Sequence, residues 1–156
     1  MTIPKRPFVP PQKLERDLVQ ARTFWAGLKR REAKMPFWDD VSLSARPRLA
    51  GKLILIEAFD TPVRFRCAEG VVGKEVKRQY AGDLDGVFLD EIEVRHPLQY
   101  ILSQCSATVE SGEPTYYRHG TAGRSTSRAN KAYSRLMLPL WGQGRIAMLL
   151  GAFAWR

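Results

Sequence analysis

The chain has 156 residues, 44% of them hydrophobic and 26% charged, a composition that is typical of a globular domain and excludes wholesale disorder. One domain with one core is expected at this length, and because the sequence contains no long apolar run, a membrane-spanning helix is excluded. The formal net charge is +9, but residues 1–51 carry 11 Lys/Arg against 5 Asp/Glu and therefore hold +6 of it. This distribution argues against a nucleic-acid binder whose charge is spread over its core.

The first eleven residues form a proline-rich lead-in. Prolines at positions 4, 7, 10 and 11 favour an extended, flexible tail over residues 1–11. The apolar segment of a secretory signal does not follow the first methionine, so we expect no signal peptide and a cytoplasmic protein.

A helix is predicted over residues 12–34, which lack proline and are rich in helix-forming residues. Its apolar positions follow a four-three spacing over two heptads. This seam consists of Leu14, Leu18, Ala21, Trp25 and Leu28. The helix could lie on its own domain or pair with a second copy of the chain. We predict the second arrangement, a homodimer with Trp25 as its main anchor.

The next elements are a hairpin and two helical regions. Residues 53–56 are apolar, a turn signal follows, and residues 63–68 alternate between apolar and polar side chains, which predicts two paired strands. Short helical turns are expected over residues 71–93. A longer helix is predicted from Pro97, in its first turn, to the stop signal at Gly112.

Three strands close the chain, at residues 115–120, 132–141 and 145–155. A polar loop over residues 121–131 separates the first two. Five strands with helices inserted after the second predict an α+β fold with one antiparallel sheet and the central helices on one face. Because the last strand is apolar on both sides, the N-terminal helix is the element expected to cover the other face. The domain spans residues 36–156.

Four segments of the chain resemble the PAS domain family, in particular the small single-PAS proteins of alphaproteobacteria. They are the entry WAGLKR at residues 25–30 with Met-Pro at 35–36, the strand VRFRCAEG at 63–70, the DLDG at 83–86, and the YSRLMLPL at 133–140 with Gly144 after it. The family's acidic-proline step after the entry is replaced here by ARPR at residues 45–48, and Trp141 replaces a small or polar residue.

The resemblance implies a five-stranded PAS fold, a signalling role and no catalysis, with a small ligand or a signalling protein as partner. A flavin adduct is not expected, because neither Cys67 nor Cys105 lies in the Asn-Cys-Arg-Phe context of the flavin-binding members. Haem is not expected either, since His96 directly precedes Pro97 and suits a cap or a surface position. His119 is expected to face solvent.

The resemblance also places any ligand pocket between the sheet and the central helices. The candidate lining is Tyr80, Phe88, Leu102, Leu136 and Met148, with a dry core of the same residues as the alternative. Arg135 lies between apolar neighbours on a strand. Strand alternation favours a solvent-facing position for it over a role as an anchor for an acidic ligand.

A cluster of acidic residues is predicted to be a solvated surface without a metal, because it lacks the spacing of a calcium loop. Its members are Asp83, Asp85, Asp90, Glu91 and Glu93. The expected function is a stand-alone sensory module that binds a ligand or a partner and acts through rearrangement of a helix or a dimer. The alternative is a nucleic-acid-associated regulator that uses the basic N-terminal region and an Arg118–Arg135 strip.

Overall fold

The computed structural model describes residues 8–120 and 131–156 and shows an α+β fold built on a five-stranded antiparallel sheet. The described helices are α1 (Arg16–Gly27), α2 (Pro47–Ala50), α3 (Lys74–Tyr80) and α4 (Ile101–Ser111), with 3₁₀ turns at Trp38–Asp40 and Leu43–Ala45. The strands are β1 (Leu53–Asp60), β2 (Val63–Val72), β3 (Thr115–His119), β4 (Tyr133–Gly142) and β5 (Arg145–Trp155). The predicted α+β class and single antiparallel sheet are confirmed. Of the predicted lead-in and polar loop, residues 1–7 and 121–130 lie outside the described residues.

The strand order is β2-β1-β5-β4-β3, so the apolar last strand lies at the centre of the sheet. Two residues, Thr61 and Pro62, connect β1 to β2, and two more, Gln143 and Gly144, connect β4 to β5. Both residues of the second turn have positive φ, 54° and 76°, the combination that a type I′ hairpin turn requires and that glycine adopts without strain. The long β4–β5 hairpin thereby forms the middle of the domain.

The N-terminal helix is shorter than the sequence predicts. α1 ends at Gly27, and Arg31 adopts a left-handed conformation with φ 45°, so the chain turns back before the end of the predicted range 12–34. The returning segment reaches the sheet, where the Trp141 backbone N–H donates to the Pro36 oxygen at 2.8 Å. α1 does not continue beyond Gly27, because the segment after it makes a backbone hydrogen bond to β4 instead.

The central region agrees with its prediction in part: α3 lies within residues 71–93, where short helical turns are expected, but the rest differs. α4 begins at Ile101 and not at Pro97, because Tyr100 has a left-handed φ of 58°. Gly112, also left-handed, ends α4 at the predicted position. Residues 86–89 run along the free edge of β2 instead of forming a helix, and the Leu89 N–H donates to the Phe65 oxygen at 2.8 Å.

The sheet is covered on both faces. Strand alternation along β4 directs Arg135 towards α4 and Leu136 towards α1, and we call these two sides the α4 face and the α1 face. On the α1 face Leu18 is fully buried, and the indole Nε1 of Trp25 donates to the Pro139 oxygen at 2.9 Å. The prediction that the N-terminal helix covers the second face of the last strand is therefore confirmed.

In the part of the chain that the structure describes, no helix combines the length and the apolar character needed to cross a bilayer.

Candidate functional site

Two rows of side chains cross strands β3, β4 and β5 on the α4 face. Cross-strand pairing places Tyr117, Arg135 and Phe153 in one row. The same register places the next row two residues away on each strand. That second row consists of His119, Tyr133 and Trp155. We call these six residues the aromatic patch, with Arg135 as its only side chain without a ring.

The Arg135 side chain is fully buried. Its Nε donates to Gln104 Oε1 at 2.7 Å, and its two terminal nitrogens donate to the carbonyl oxygens of Pro97, at 3.0 Å, and Gln99, at 2.8 Å. The guanidinium carbon lies 5.1 Å from the centroid of the Tyr117 ring and 5.9 Å from that of Phe153. These partners are neutral groups that hold the cation through hydrogen bonds and cation–π contacts.

No carboxylate pairs with Arg135 among the described residues. Residues 1–7 and 121–130 contain no Asp or Glu in their sequence. Burial lowers the pKa of Arg135, but a guanidinium keeps its proton at neutral pH. The site therefore holds a positive charge that is out of water and has no counter-charge, an arrangement that costs stability.

The predicted solvent-facing position of Arg135 is wrong. Alternation correctly separates it from Leu136, but the face it occupies is covered by α4 and by the segment that carries Pro97 and Gln99. The Arg118–Arg135 strip of the nucleic-acid alternative does not exist for the same reason, since Arg118 is exposed and Arg135 is buried.

The aromatic patch also contains a buried donor that lacks an acceptor. The indole Nε1 of Trp155 is buried and has no hydrogen-bond partner in the described part of the chain. The Trp155 ring stacks on Phe153, with 5.3 Å between centroids and an interplanar angle of 13°. A buried N–H without a partner costs about 1–3 kcal/mol. An uncompensated cation and an unpaired donor thus belong to adjacent rows of one patch.

Both histidines belong to this region. His119 stacks on Tyr133 at 5.3 Å, and its Nδ1 lies 2.6 Å from the Tyr117 hydroxyl. His96 is only 9% exposed, packs edge-on against Tyr133, and has its Nε2 2.9 Å from Gln79 Oε1. Burial lowers the pKa of each imidazole. The predicted surface position of His96 is wrong, because His96 is buried against Tyr133 and contacts Gln79 of α3. His119 is half-buried on the α4 face, so its predicted solvent-facing position holds in part.

The two cysteines are buried and unreactive. Burial raises the pKa of Cys67 and of Cys105 to about 12, so both are neutral thiols at physiological pH and neither is a nucleophile. Among the described residues, no group of three or more His, Cys, Asp or Glu side chains is placed to hold a metal ion.

The predicted acidic cluster lies at the surface in ion pairs. Asp85 pairs with Lys77 at 2.7 Å. Asp90 pairs with Arg64 at 2.8 Å, and the same guanidinium contacts Glu91.

The five predicted pocket residues are not brought together. Leu136 and Met148 lie on the α1 face, as their register with Ala152 and Leu140 shows. Phe88 lies outside β2 under the Arg64 guanidinium, 3.7 Å from ring centroid to Cζ. Tyr80 ends α3, where its hydroxyl donates to the Glu93 oxygen, and Leu102 lies on α4. The prediction failed because it selected apolar residues without the register that assigns each to a face.

The predicted dimer seam faces the sheet of its own chain. Leu14, Leu18, Ala21 and Trp25 are at most 7% exposed, and Leu28 is partly buried at the end of α1. These side chains are therefore not available to a second copy while α1 keeps this position. A dimer of this protein would need another surface.

No family model matches the chain, and neither a curated protein nor a solved structure matches it significantly. The geometry of the site is therefore the basis for inferring a function.

Proposed function

We propose that this chain is a cytoplasmic PAS-type sensory module that binds a small organic acid at the aromatic patch and passes that event to helix α1. The buried guanidinium of Arg135 without a counter-charge carries the proposal. An incoming carboxylate would supply the missing negative charge and could accept two parallel hydrogen bonds from the guanidinium. The proposal assigns binding to this site and no reaction.

The arrangement of elements supports a PAS-type module. The resemblance implies a five-stranded antiparallel sheet with its helices inserted after the second strand, and α3 and α4 occupy that place in the chain. Sensory domains of this kind hold their ligand between the sheet and the inserted helices, which is where the aromatic patch lies.

The acceptors of Arg135 suggest how ligand binding would change the conformation of the domain. A carboxylate that takes over the N–H now donated to the Pro97 or the Gln99 oxygen would release the segment that leads into α4. Binding would therefore shift the population between a closed and an opened position of that segment. The Trp155 indole N–H could donate to the second oxygen of the acid.

β4 connects the patch to the N-terminal helix. It carries Arg135 on one face and, four residues later, the Pro139 oxygen that accepts the Trp25 indole hydrogen bond on the other side. A change in the twist or position of β4 would alter that contact. In this proposal, ligand binding displaces α1, and a partner protein recognises the displaced helix.

Thermal melting in the presence of small organic acids tests whether the aromatic patch binds a carboxylate. Acetate, succinate and benzoate, each in the millimolar range, are added to the full chain, with benzyl alcohol as the neutral counterpart of benzoate. At roughly ten times the dissociation constant a bound acid stabilises the fold by about 1.4 kcal/mol, or a few degrees in Tm. Trp155→Phe should abolish most of this rise, whereas Trp141→Phe, a matched change outside the patch, should retain it.

The outcomes separate the two function classes. A rise with at least one acid and none with the alcohol supports the proposal. No rise with any of the three acids, or an equal rise in Trp155→Phe, would overturn the ligand assignment. Salt-dependent retardation of DNA by the same protein would instead favour the regulator that uses the basic N-terminal region.

A further inference from the structure

A cleft of about 700 Å³ lies on the α1 side of the sheet, away from the aromatic patch. Its walls come from α1, the residues that follow it, the end of α4, and strands β4 and β5. The apolar part of its lining has a partly exposed rim of Pro10, Pro114 and Trp141 and a floor of side chains at most 9% exposed, which are Leu14, Trp25, Met35, Leu136 and Ile146. A volume of this size lies within the usual range for ligand-binding clefts.

The charged lining of the cleft is mostly basic. Arg22, Lys29 and Lys34 contribute three cations, and Glu113 is the single carboxylate. None of the three cations forms an ion pair within residues 8–120 and 131–156. Lys29 is held over the apolar lining, with its Nζ 4.4 Å from the centroid of the Trp25 ring. Positive charge and a partly exposed apolar rim, formed by Pro10, Pro114 and Trp141, are therefore combined in one concave site.

We propose that this cleft binds a free medium-chain fatty acid, with its acyl chain against the apolar lining and its carboxylate at Lys29 and Lys34. The ligand matches both properties of the cleft, since a single molecule buries apolar surface and supplies the negative charge. This site is separate from the aromatic patch and does not depend on the function proposed for it.

Charge argues against two other occupants. The N-terminal lead-in ends close by, since Pro10 lines the cleft, but residues 1–7 carry Lys5 and Arg6 and no acidic residue in their sequence. A second copy of the chain carries a net charge of +9 and would be repelled by the basic lining. An amphipathic anion is the occupant whose charge is complementary.

Calorimetric titration of the full chain with dodecanoate, below the concentration at which it forms micelles, tests the proposal. We expect saturation at one molecule per chain, with a change in tryptophan fluorescence because Trp25 and Trp141 line the cleft. Decanoate should bind more weakly, by about fourfold for each methylene lost from the apolar contact. Dodecan-1-ol should bind at least fivefold more weakly than dodecanoate.

A charge variant and its control locate the site. The double variant Lys29→Gln/Lys34→Gln should lose affinity for dodecanoate by tenfold or more, and it should fold because neither lysine is buried. Lys74→Gln, which removes one exposed lysine on α3, should bind dodecanoate as the unmodified chain does.

Four results would overturn the proposal. These are the absence of saturable binding, equal binding of dodecan-1-ol, unchanged affinity in the double variant, and loss of binding in Trp155→Phe, which would move the ligand to the aromatic patch. Binding to phosphatidylglycerol vesicles without binding to free dodecanoate would replace the fatty acid by a membrane surface. A failure of the melting test with acetate, succinate and benzoate would not affect this proposal.

Discussion

Arg135 and Gln104 hold each other in a reciprocal pair. The Arg135 Nε donates to Gln104 Oε1 at 2.7 Å, and the Gln104 side-chain amide donates back to the backbone oxygen of Arg135 at 3.1 Å. Both residues are fully buried, so the two bonds join β4 to α4 out of contact with water. If either side chain is removed, a buried polar group loses its partner, and this costs more than the bond itself contributes to stability.

The first prediction follows from this pair. Gln104→Met keeps the size of the side chain but removes both hydrogen bonds, so we expect the free energy of unfolding to fall by about 2–4 kcal/mol. Urea denaturation followed by circular dichroism measures it. Gln20→Met, an exposed position on α1, should change it by less than about 0.5 kcal/mol. A loss in Gln104→Met no larger than in this control would show that the pair is not structural.

The limits of sequence reasoning are visible in the same strand. Residues 133–142 are apolar enough to be recognised as a strand, and alternation separates Arg135 from Leu136. Alternation cannot tell which of two faces is covered when helices lie on both. The identity of Arg135 favoured the solvent, while the acceptors that bury it come from Pro97, Gln99 and Gln104, more than thirty residues away.

Element ends were predictable only where a residue type dictates the backbone. Gly112 ends α4 and Gly144 completes the β4–β5 turn, and both are left-handed positions that glycine signals in a sequence. Arg31 and Tyr100 are left-handed as well, yet nothing about arginine or tyrosine indicates it. The end of α1 and the start of α4 were therefore misplaced, because tertiary contacts set them.

The second prediction concerns the anchor of α1. Trp25→Ala should lower the free energy of unfolding by about 3–5 kcal/mol, since it empties a buried site and leaves the Pro139 oxygen without its donor. Because Trp25 faces its own sheet, the oligomeric state in sedimentation equilibrium should not change. Trp38→Ala, a tryptophan that is 44% exposed, is the control and should cost much less. If the protein is a dimer and Trp25→Ala dissociates it while the subunit stays folded, the seam residues contact a second copy of the chain and not only their own sheet.

The third prediction compares two glycines. A Cβ at Gly73 would lie 2.3 Å from the Gly51 backbone oxygen, so Gly73→Ala must displace backbone and should destabilise the fold by roughly 1–3 kcal/mol. A Cβ at Gly27, the last residue of α1, meets nothing within 4 Å. Gly27→Ala should therefore stabilise the fold by up to about 1 kcal/mol. Thermal melting of the two variants gives the comparison, and shifts of the same sign would contradict the packing described for Gly73.

The last prediction is an acid sensitivity that arises from the two histidines. Burial lowers the pKa of His96 and of His119 below the ordinary 6.5, so the folded state resists a proton that the unfolded chain accepts. The stabilisation is complete above pH 6.5 and is lost as the pH falls below 6.5 towards the folded pKa values. In protonated His119 both ring nitrogens are donors, so Nδ1, 2.6 Å from the Tyr117 hydroxyl, can no longer accept from it. The urea midpoint should therefore be lower at pH 5.5 than at pH 7.5.

The range from pH 5.5 to pH 7.5 distinguishes the effect of the histidines from that of the carboxylates. The pKa values of Asp40, Asp85 and Asp90 are lowered from 3.8 by hydrogen bonds from Arg30, Lys77 and Arg64, so their stabilisation is lost only at pH values well below 5.5. In the double variant His96→Gln/His119→Asn, neither side-chain amide titrates. The Gln amide can donate as His96 Nε2 does, and the Asn amide can donate or accept at the Tyr117 hydroxyl. Its urea midpoint should be nearly equal at the two pH values. An unchanged pH dependence in this variant would place the acid-sensitive groups outside the aromatic patch and its neighbour His96.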